Sequence, residues 1–162
     1  MKFTQLIKLY EVTQKYRTPN TKIYNNGEYK IYYKGPIFRK IIHRVDGPAI
    51  EYADGGEAWY LNDQLHRVGG PAITVSLTSG KPYYATKIAL RAGDKAWYQN
   101  NKLHRTDGPA VERNNGTQLW YINGIELSPK EIEEQKQKIA LDKQIASDEN
   151  NAIGSVWGIL NP

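Results

Sequence analysis

The chain has three histidines, and each is followed by an arginine: His43-Arg44, His66-Arg67 and His104-Arg105. An imidazole three residues before a carboxylate, as in His43 with Asp46 and His104 with Asp107, has the makings of a base and its orienter. Three imidazoles on one centre would make a zinc site, whose ligand nitrogens lie about 2.0–2.1 Å from the metal. Arginines among tyrosines and tryptophans suit a third chemistry, in which rings stack bases and guanidinium groups hold phosphates. The absence of cysteine removes thiolate metal sites, cysteine nucleophiles and disulfides, and fits a reducing compartment. Gly-x-Gly-x-x-Gly, Walker, His-Glu-x-x-His and Gly-x-Ser-x-Gly motifs are absent too.

Which chemistry is open depends on how the chain spaces these groups, and it spaces them by repetition. His43-Arg44-Val45-Asp46-Gly47-Pro48-Ala49 returns as His66-Arg67-Val68-Gly69-Gly70-Pro71-Ala72 and as His104-Arg105-Thr106-Asp107-Gly108-Pro109-Ala110. Between these blocks stand Trp59-Tyr60-Leu61-Asn62-Asp63, Trp97-Tyr98-Gln99-Asn100-Asn101 and Trp120-Tyr121-Ile122-Asn123-Gly124. His43 to His66 and Trp97 to Trp120 are both 23 residues; His66 to His104 and Trp59 to Trp97 are both 38. A 15-residue insertion therefore falls at about residues 73–92. A worn first copy runs from Asn26-Gly27 through Ile31-Tyr32-Tyr33-Lys34-Gly35, with Ile31 and Tyr32 in the places of Trp and Tyr.

Each unit reads as a β-hairpin. A short strand after the proline meets an Asp-Gly or Asn-Gly turn, and the returning strand carries the Trp-Tyr pair. The glycines before the prolines (Gly47, Gly70 and Gly108) are expected to serve a sharp entry bend. Side chains alternate across a strand, so stacked units should build one ladder from Ile31, Trp59, Trp97 and Trp120 and another from Tyr32, Tyr60, Tyr98 and Tyr121. One ladder should line the inside of the sheet and the other flank it. Two strands per unit place equivalent residues about 10 Å apart. Three imidazoles so spaced cannot converge on one metal, and none is expected. The catalytic pairing weakens as well, because Gly69 replaces the aspartate in the middle copy and no serine or threonine recurs beside the histidines. A repeated motif is explained first by repeated structure: the aspartate capping its own turn through backbone amides, the arginine holding the loop through a carboxylate or carbonyl.

The 23-residue period, the aromatic-x-Asn-Gly-x-x-His spacing and the later Asp-Gly turn resemble MORN repeats. Closer still is the variant with His-Arg-x-Asp-Gly-Pro-Ala and Trp-Tyr-x-Asn-Gly associated with phage and large-virus proteins. The resemblance covers about residues 26–127. It departs at Gly69, at Asp63 and Asn101 (glycine in the pattern), and at Leu127, where a fourth histidine would fall. It implies a mainly β fold, stacked antiparallel β-hairpin repeats in an elongated twisted sheet, and a binding or scaffolding role.

The flanks are different. Residues 1–25 form a basic segment whose residues 3–12 read as a helix or a strand, Phe3, Leu6, Ile7 and Tyr10 fitting helical spacing slightly better. Residues 1–45 carry ten basic and two acidic side chains, residues 46–127 eight and nine, and residues 128–162 four and six, within a formal net charge of +5. Residues 128–162 open with a capping box, Ser128-Pro129-Lys130-Glu131. The expected helix caps the array, runs to about Ala146 and has a thin stripe of Ile132, Ile139 and Ile145. The apolar tail 152–160 with Trp157 should dock back, or pair with a second copy as a homodimer. No stretch resembles a secretory signal or reaches the ~20 apolar residues of a membrane helix, so a cytoplasmic protein is expected.

Taken together these features imply a non-enzymatic protein without cofactor. Through the resemblance it would be a viral accessory protein that binds and inhibits a host protein, plausibly part of a defence system. Nucleotide sequestration is a second reading, and nucleic-acid binding through the basic N-terminal third a third one. The candidate binding residues are Tyr60, Tyr98 and Tyr121 of the ladder; Lys81, Tyr83, Tyr84, Lys87 and Arg91 of the insertion; Arg44, Arg67 and Arg105 of the repeats; and Trp157 of the tail.

Overall fold

The computed structural model describes residues 22–25, 27–36, 39–80, 82–83 and 88–160, with side chains placed between 27 and 150. Four units follow one another along the chain. The first holds β1 (Lys22–Asn25), β2 (Tyr29–Lys34) and β3 (Ile41–Ile42); the second β4 (Ile50–Tyr52), β5 (Glu57–Ala58), β6 (Tyr60–Leu61) and β7 (Gln64–Leu65). The third holds β8 (Ile73–Thr74), β9 (Lys95–Ala96), β10 (Tyr98–Gln99) and β11 (Lys102–Leu103). The fourth holds β12 (Val111–Glu112), β13 (Gln118–Leu119), β14 (Tyr121–Ile122) and β15 (Ile125–Glu126). One helix, α1 (Pro129–Leu160), completes the order.

The fold is mainly β, a stack of antiparallel hairpins with a capping helix. A nine-stranded sheet runs β1-β2-β4-β5-β8-β9-β12-β13, with β3 also on β2. Its turns need left-handed backbone where the sequence supplies glycine: Gly27, Gly55, Gly93 and Gly116 have φ between 82° and 88°. Beyond each Trp the returning strand continues into a second small hairpin, β6-β7, β10-β11 or β14-β15. Those turns have both central residues at positive φ (Asn62 53°, Asp63 62°; Asn100 50°, Asn101 63°; Asn123 52°, Gly124 83°), the geometry of a type I′ turn. Neighbouring small hairpins join through the backbone, Arg44 N–H to the Tyr60 carbonyl, Arg67 to Tyr98 and Arg105 to Tyr121.

The core is two ranks of side chains. In the long sheet Ile31, Ile50, Ala58, Ile73, Ala96, Val111 and Leu119 stand in unbroken register across the strands. Branched residues mostly face alanines, so the rank interlocks. In the second row Tyr33, Ile42, Tyr60, Leu65, Tyr98 and Leu103 alternate in the same way, and Leu65 and Tyr98 are each 2% exposed. Tyr33 and Tyr98 are buried and Tyr60 and Tyr121 half-buried, while Trp120 is also buried and Trp59 and Trp97 half-buried, so both ladders pack. The tryptophans lie on the other side of the strand.

The first copy sits one residue later than expected. Tyr32 N–H reaches the Ala49 carbonyl and the Tyr32 carbonyl accepts from His43 N–H, as Trp59 does with Ala72 and His66 and Trp97 with Ala110 and His104. Tyr32 thus stands for Trp and buried Tyr33 for Tyr. The hairpin after Gly27 carries one extra residue, which moves the pair along.

The insertion between β8 and β9 folds back on the body. Tyr83 and Leu90 exchange backbone hydrogen bonds of 2.8 and 3.2 Å, and Leu90 and Val75 join the core. Helix α1 begins with the expected box, Glu131 N–H to Ser128 Oγ at 3.4 Å and Ser128 N–H to Glu131 Oε2 at 2.8 Å. It does not stop at Ala146 but continues to Leu160, since no glycine or proline interrupts it before Gly154. Its first turns meet the repeats through half-buried Ile132, Gln135 and Ile139, with Gln135 Nε2 donating to the Thr106 carbonyl. Every residue from 140 to 150 is exposed, so Ile145 is not part of the cap. No helix among the described residues is long and apolar enough to cross a membrane.

Candidate functional site: a tyrosine-lined concave face

The residues best suited to chemistry are engaged by the frame. His43 Nδ1 accepts Asn62 N–H at 3.1 Å, and His104 Nδ1 accepts Asn123 N–H at 3.1 Å. His66 Nδ1 lies 3.0 Å from Asn100 Oδ1 and 3.4 Å from Asn100 N–H. Each imidazole thus ties its unit to the next unit's small hairpin. Leu127 departs from the motif because no further unit follows it.

The arginines hold the loops from a shared position. Arg67 lies over the Trp59 ring at 3.8 Å, Arg105 over Trp97 at 3.9 Å and Arg44 over Tyr32 at 4.0 Å. Each donates Nη1 to the carbonyl of the proline four residues on, at 3.0–3.2 Å. Arg44 adds Asp46 and Glu51, and Arg105 adds Asp107 and Glu112. Asp46 and Asp107 therefore serve the arginine rather than the amides of their own turns. The glycines before the prolines have another reason than a bend: a Cβ on Gly47, Gly70 or Gly108 would come within 2.6, 3.0 or 2.8 Å of the guanidinium carbon.

Burial lowers the pKa of His43, with Lys34 adding to the effect and the Asn62 side chain opposing it, whereas the Asn62 N–H bonds only the neutral ring. Its folded pKa lies below the unfolded one, so its stabilisation is present above about pH 6.5 and is lost as pH falls toward the folded value. Losing the Asn62 bond should cost about 1 kcal/mol, a melting temperature lower by roughly 2–4 °C between pH 7.5 and pH 5. Melts of wild type and His43→Asn, which keeps an acceptor without a titrating ring, check this: the variant should show the smaller drop.

The inner face is what remains open. A groove of about 740 Å³ is lined by Tyr60, Tyr98, Tyr121, Leu103, Ile88 and Lys102, among others. A second, of about 720 Å³, shares Ile88 and Tyr121 with it and adds Arg91 and Arg113. Three predicted site residues thus share one concavity, with Arg91 in the adjoining one. Tyr98 forms its floor, Tyr60 is half-buried, and the Tyr121 hydroxyl donates to Glu126 Oε2 at 2.8 Å. Burial raises the phenol pKa values of Tyr60 and Tyr121, so both are neutral donors.

Tyr83 sits across the insertion, its hydroxyl 3.4 Å from that of Tyr60, and borders a separate groove of about 700 Å³. Arg44, Arg67 and Arg105 belong to the clamps. Lys81, Tyr84 and Lys87 lie outside the described residues, as does the side chain of Trp157. Sequence reasoning missed Asp94, 2% exposed, which accepts from Arg113, Arg91 N–H and Asn114 N–H. Its position after the turn glycine is Glu28, Gly56 and Thr117 in the other units, so no clear signal in the sequence marks it. Compared with family models, curated proteins and solved structures, the chain matches none.

Proposed function

We propose that this chain is a non-enzymatic, MORN-like binding module whose concave tyrosine face engages a protein partner, and that it acts as a viral accessory protein that blocks a host factor. One observation carries the binding half: the histidines and motif arginines are engaged in holding units together, while a groove lined by Tyr60, Tyr98 and Tyr121 stays open. Tyrosine is favoured at interfaces because one ring offers apolar area and a polar tip. The viral half rests on the motif resemblance. Nucleotide capture is the weaker reading, because the arginines it would use for phosphate already stack on rings and hold carbonyls.

The test is a pull-down from a bacterial lysate with wild type and with Tyr121→Ala/Lys102→Glu, both positions bordering the groove. A stoichiometric protein band should be retained by wild type and fall about tenfold in the variant, the loss of one interface anchor, with melting within a few degrees. A heat-released fraction absorbing at 260 nm would favour a nucleotide instead. Capture that collapses between low and moderate salt would favour nucleic acid. Turnover of an ester or cyclic nucleotide by the pure protein would overturn the proposal.

A further inference from the structure

The third position of the His-Arg motif makes a row along the array. It is Val45, Val68 and Thr106 in the three copies, spaced by about 10 Å per unit. At Thr106 the row already holds a helix: its carbonyl accepts Gln135 Nε2 of α1, and Ile132 and Ile139 on the same side of α1 are half-buried. At the other two units the position is an exposed valine, Val68 at 76%. None of the loop residues 44–47, 67–70 or 105–108 borders the grooves at Tyr60 and Tyr121.

The helix carries a matching surplus. Past its docked turns every residue from 140 to 150 is exposed, Leu141 at 60% and Ile145 among them. Lys138, Leu141, Ile145 and Asp148 follow at i, i+3, i+7 and i+10 and share one face, roughly opposite to that of Ile132, Gln135 and Ile139. The docked face looks at the body, so this one looks away from it. A helix that lay down on its own row would still leave Leu141 and Ile145 in water.

We propose that two copies of this chain pair through these surfaces, the Leu141–Ile145 face of each α1 lying along the Val45–Val68 row of the other. The contact continues, in trans, the interface that α1 makes in cis at Thr106, onto the two units that α1 leaves open. A helix rises about 10 Å in seven residues, one unit of the array, so the exposed stretch 140–150 reaches from one valine to the next. Charge agrees: Lys138 on that face has no ion pair among the described residues, and Asp46 beside Val45 is 72% exposed. A two-fold axis makes the exchange reciprocal and doubles a contact that is narrow against the about 1,200–2,000 Å² of a stable interface. This pairing goes beyond the binding reading and leaves the tyrosine grooves free.

Sedimentation velocity and light scattering of the full chain over a range of concentrations test it. The mass should approach twice 18.5 kDa. Val68→Glu and Leu141→Gln/Ile145→Gln should each weaken the dimer about tenfold, the loss of one interface anchor. All three side chains are exposed, so melting should stay close to wild type. Ile125→Gln, on the exposed β15 at the end of the array, is the control and should change nothing. A monomer at every concentration, a dimer that survives both sets of substitutions, or one that only Ile125→Gln breaks overturns the proposal. Tyr121→Ala/Lys102→Glu should leave the mass unchanged, so dimer and groove stand or fall separately.

Discussion

Asp94→Ala should destabilise the protein by about 3–5 kcal/mol, the range for removing one partner of a buried ion pair. The carboxylate is 3% exposed and Arg113 Nη1 donates to its Oδ2 at 2.9 Å. Two backbone amides also depend on it: Arg91 N–H at 2.9 Å on Oδ2 and Asn114 N–H at 3.0 Å on Oδ1. Alanine would leave two amides unpaired and Arg113 with only the Ala89 carbonyl at 3.0 Å, and a donor left unpaired costs more than a bond is worth when made. Asp94→Asn keeps one oxygen and should cost roughly half as much. Urea denaturation followed by tyrosine and tryptophan fluorescence reads both. Hydrogen exchange should show the largest gain at residues 88–94, because Asp94 closes the insertion whose Leu90 is buried in the core. A cost under about 1 kcal/mol, typical of an exposed pair, would mean that the carboxylate reaches solvent.

The repeat period made most of the frame legible. Spacing alone places the Asp-Gly and Asn-Gly turns, and glycine or asparagine is what left-handed backbone requires there. The insertion was legible as a length and not as a structure. Nothing in Leu90 or Asp94 announces that one fills the core and the other ties two units, because Arg113 and Asn114, which bind Asp94, come from the next unit. The displaced first copy has the same origin: one extra residue after Gly27 is invisible when Ile31-Tyr32 and Tyr32-Tyr33 both read as an apolar–aromatic pair, and only the partner strand sets the register. Period two likewise separates the Trp and Tyr ladders without saying which is inside. Both ladders are at least half-buried, and the arginine after each histidine lies over a ring of one of them, Tyr32, Trp59 or Trp97.

The same limit applied to the site. The tyrosine ladder was named from sequence, and its grooves depend on where the insertion crosses. The helix shows the converse. Its start was readable from four residues, while its length was misjudged because the run Ser147-Asp148-Glu149-Asn150-Asn151, low in helix propensity, is nevertheless helical.

Arg105→Ala should cost about 2–4 kcal/mol, and Gly108→Ala less, acting through the same group. Arg105 contributes a stack on Trp97, worth roughly 1–2 kcal/mol when partly buried, and a charged bond to the Pro109 carbonyl, worth about 1.5 kcal/mol or more. Its ion pairs with Asp107, 77% exposed, and Glu112, 36% exposed, add little after solvent screening. A methyl on Gly108 would stand 2.8 Å from the guanidinium carbon and 3.0 Å from Nε, so the end of the flexible arginine has to shift against the ring. Arg105→Ala/Gly108→Ala should then cost about as much as Arg105→Ala alone, a coupling equal to the Gly108→Ala cost. The second repeat is an internal control, since Gly69 and Thr74 replace the aspartate and glutamate while Arg67 keeps its ring and carbonyl. Arg67→Ala should cost only a little less than Arg105→Ala if the stack and carbonyl dominate, and far less if the carboxylates do. Chemical denaturation of these four variants decides between the two. Additive losses at Arg105 and Gly108 would mean that the guanidinium does not lie over the glycine, and the reason for glycine in all three copies would have to be sought in the backbone.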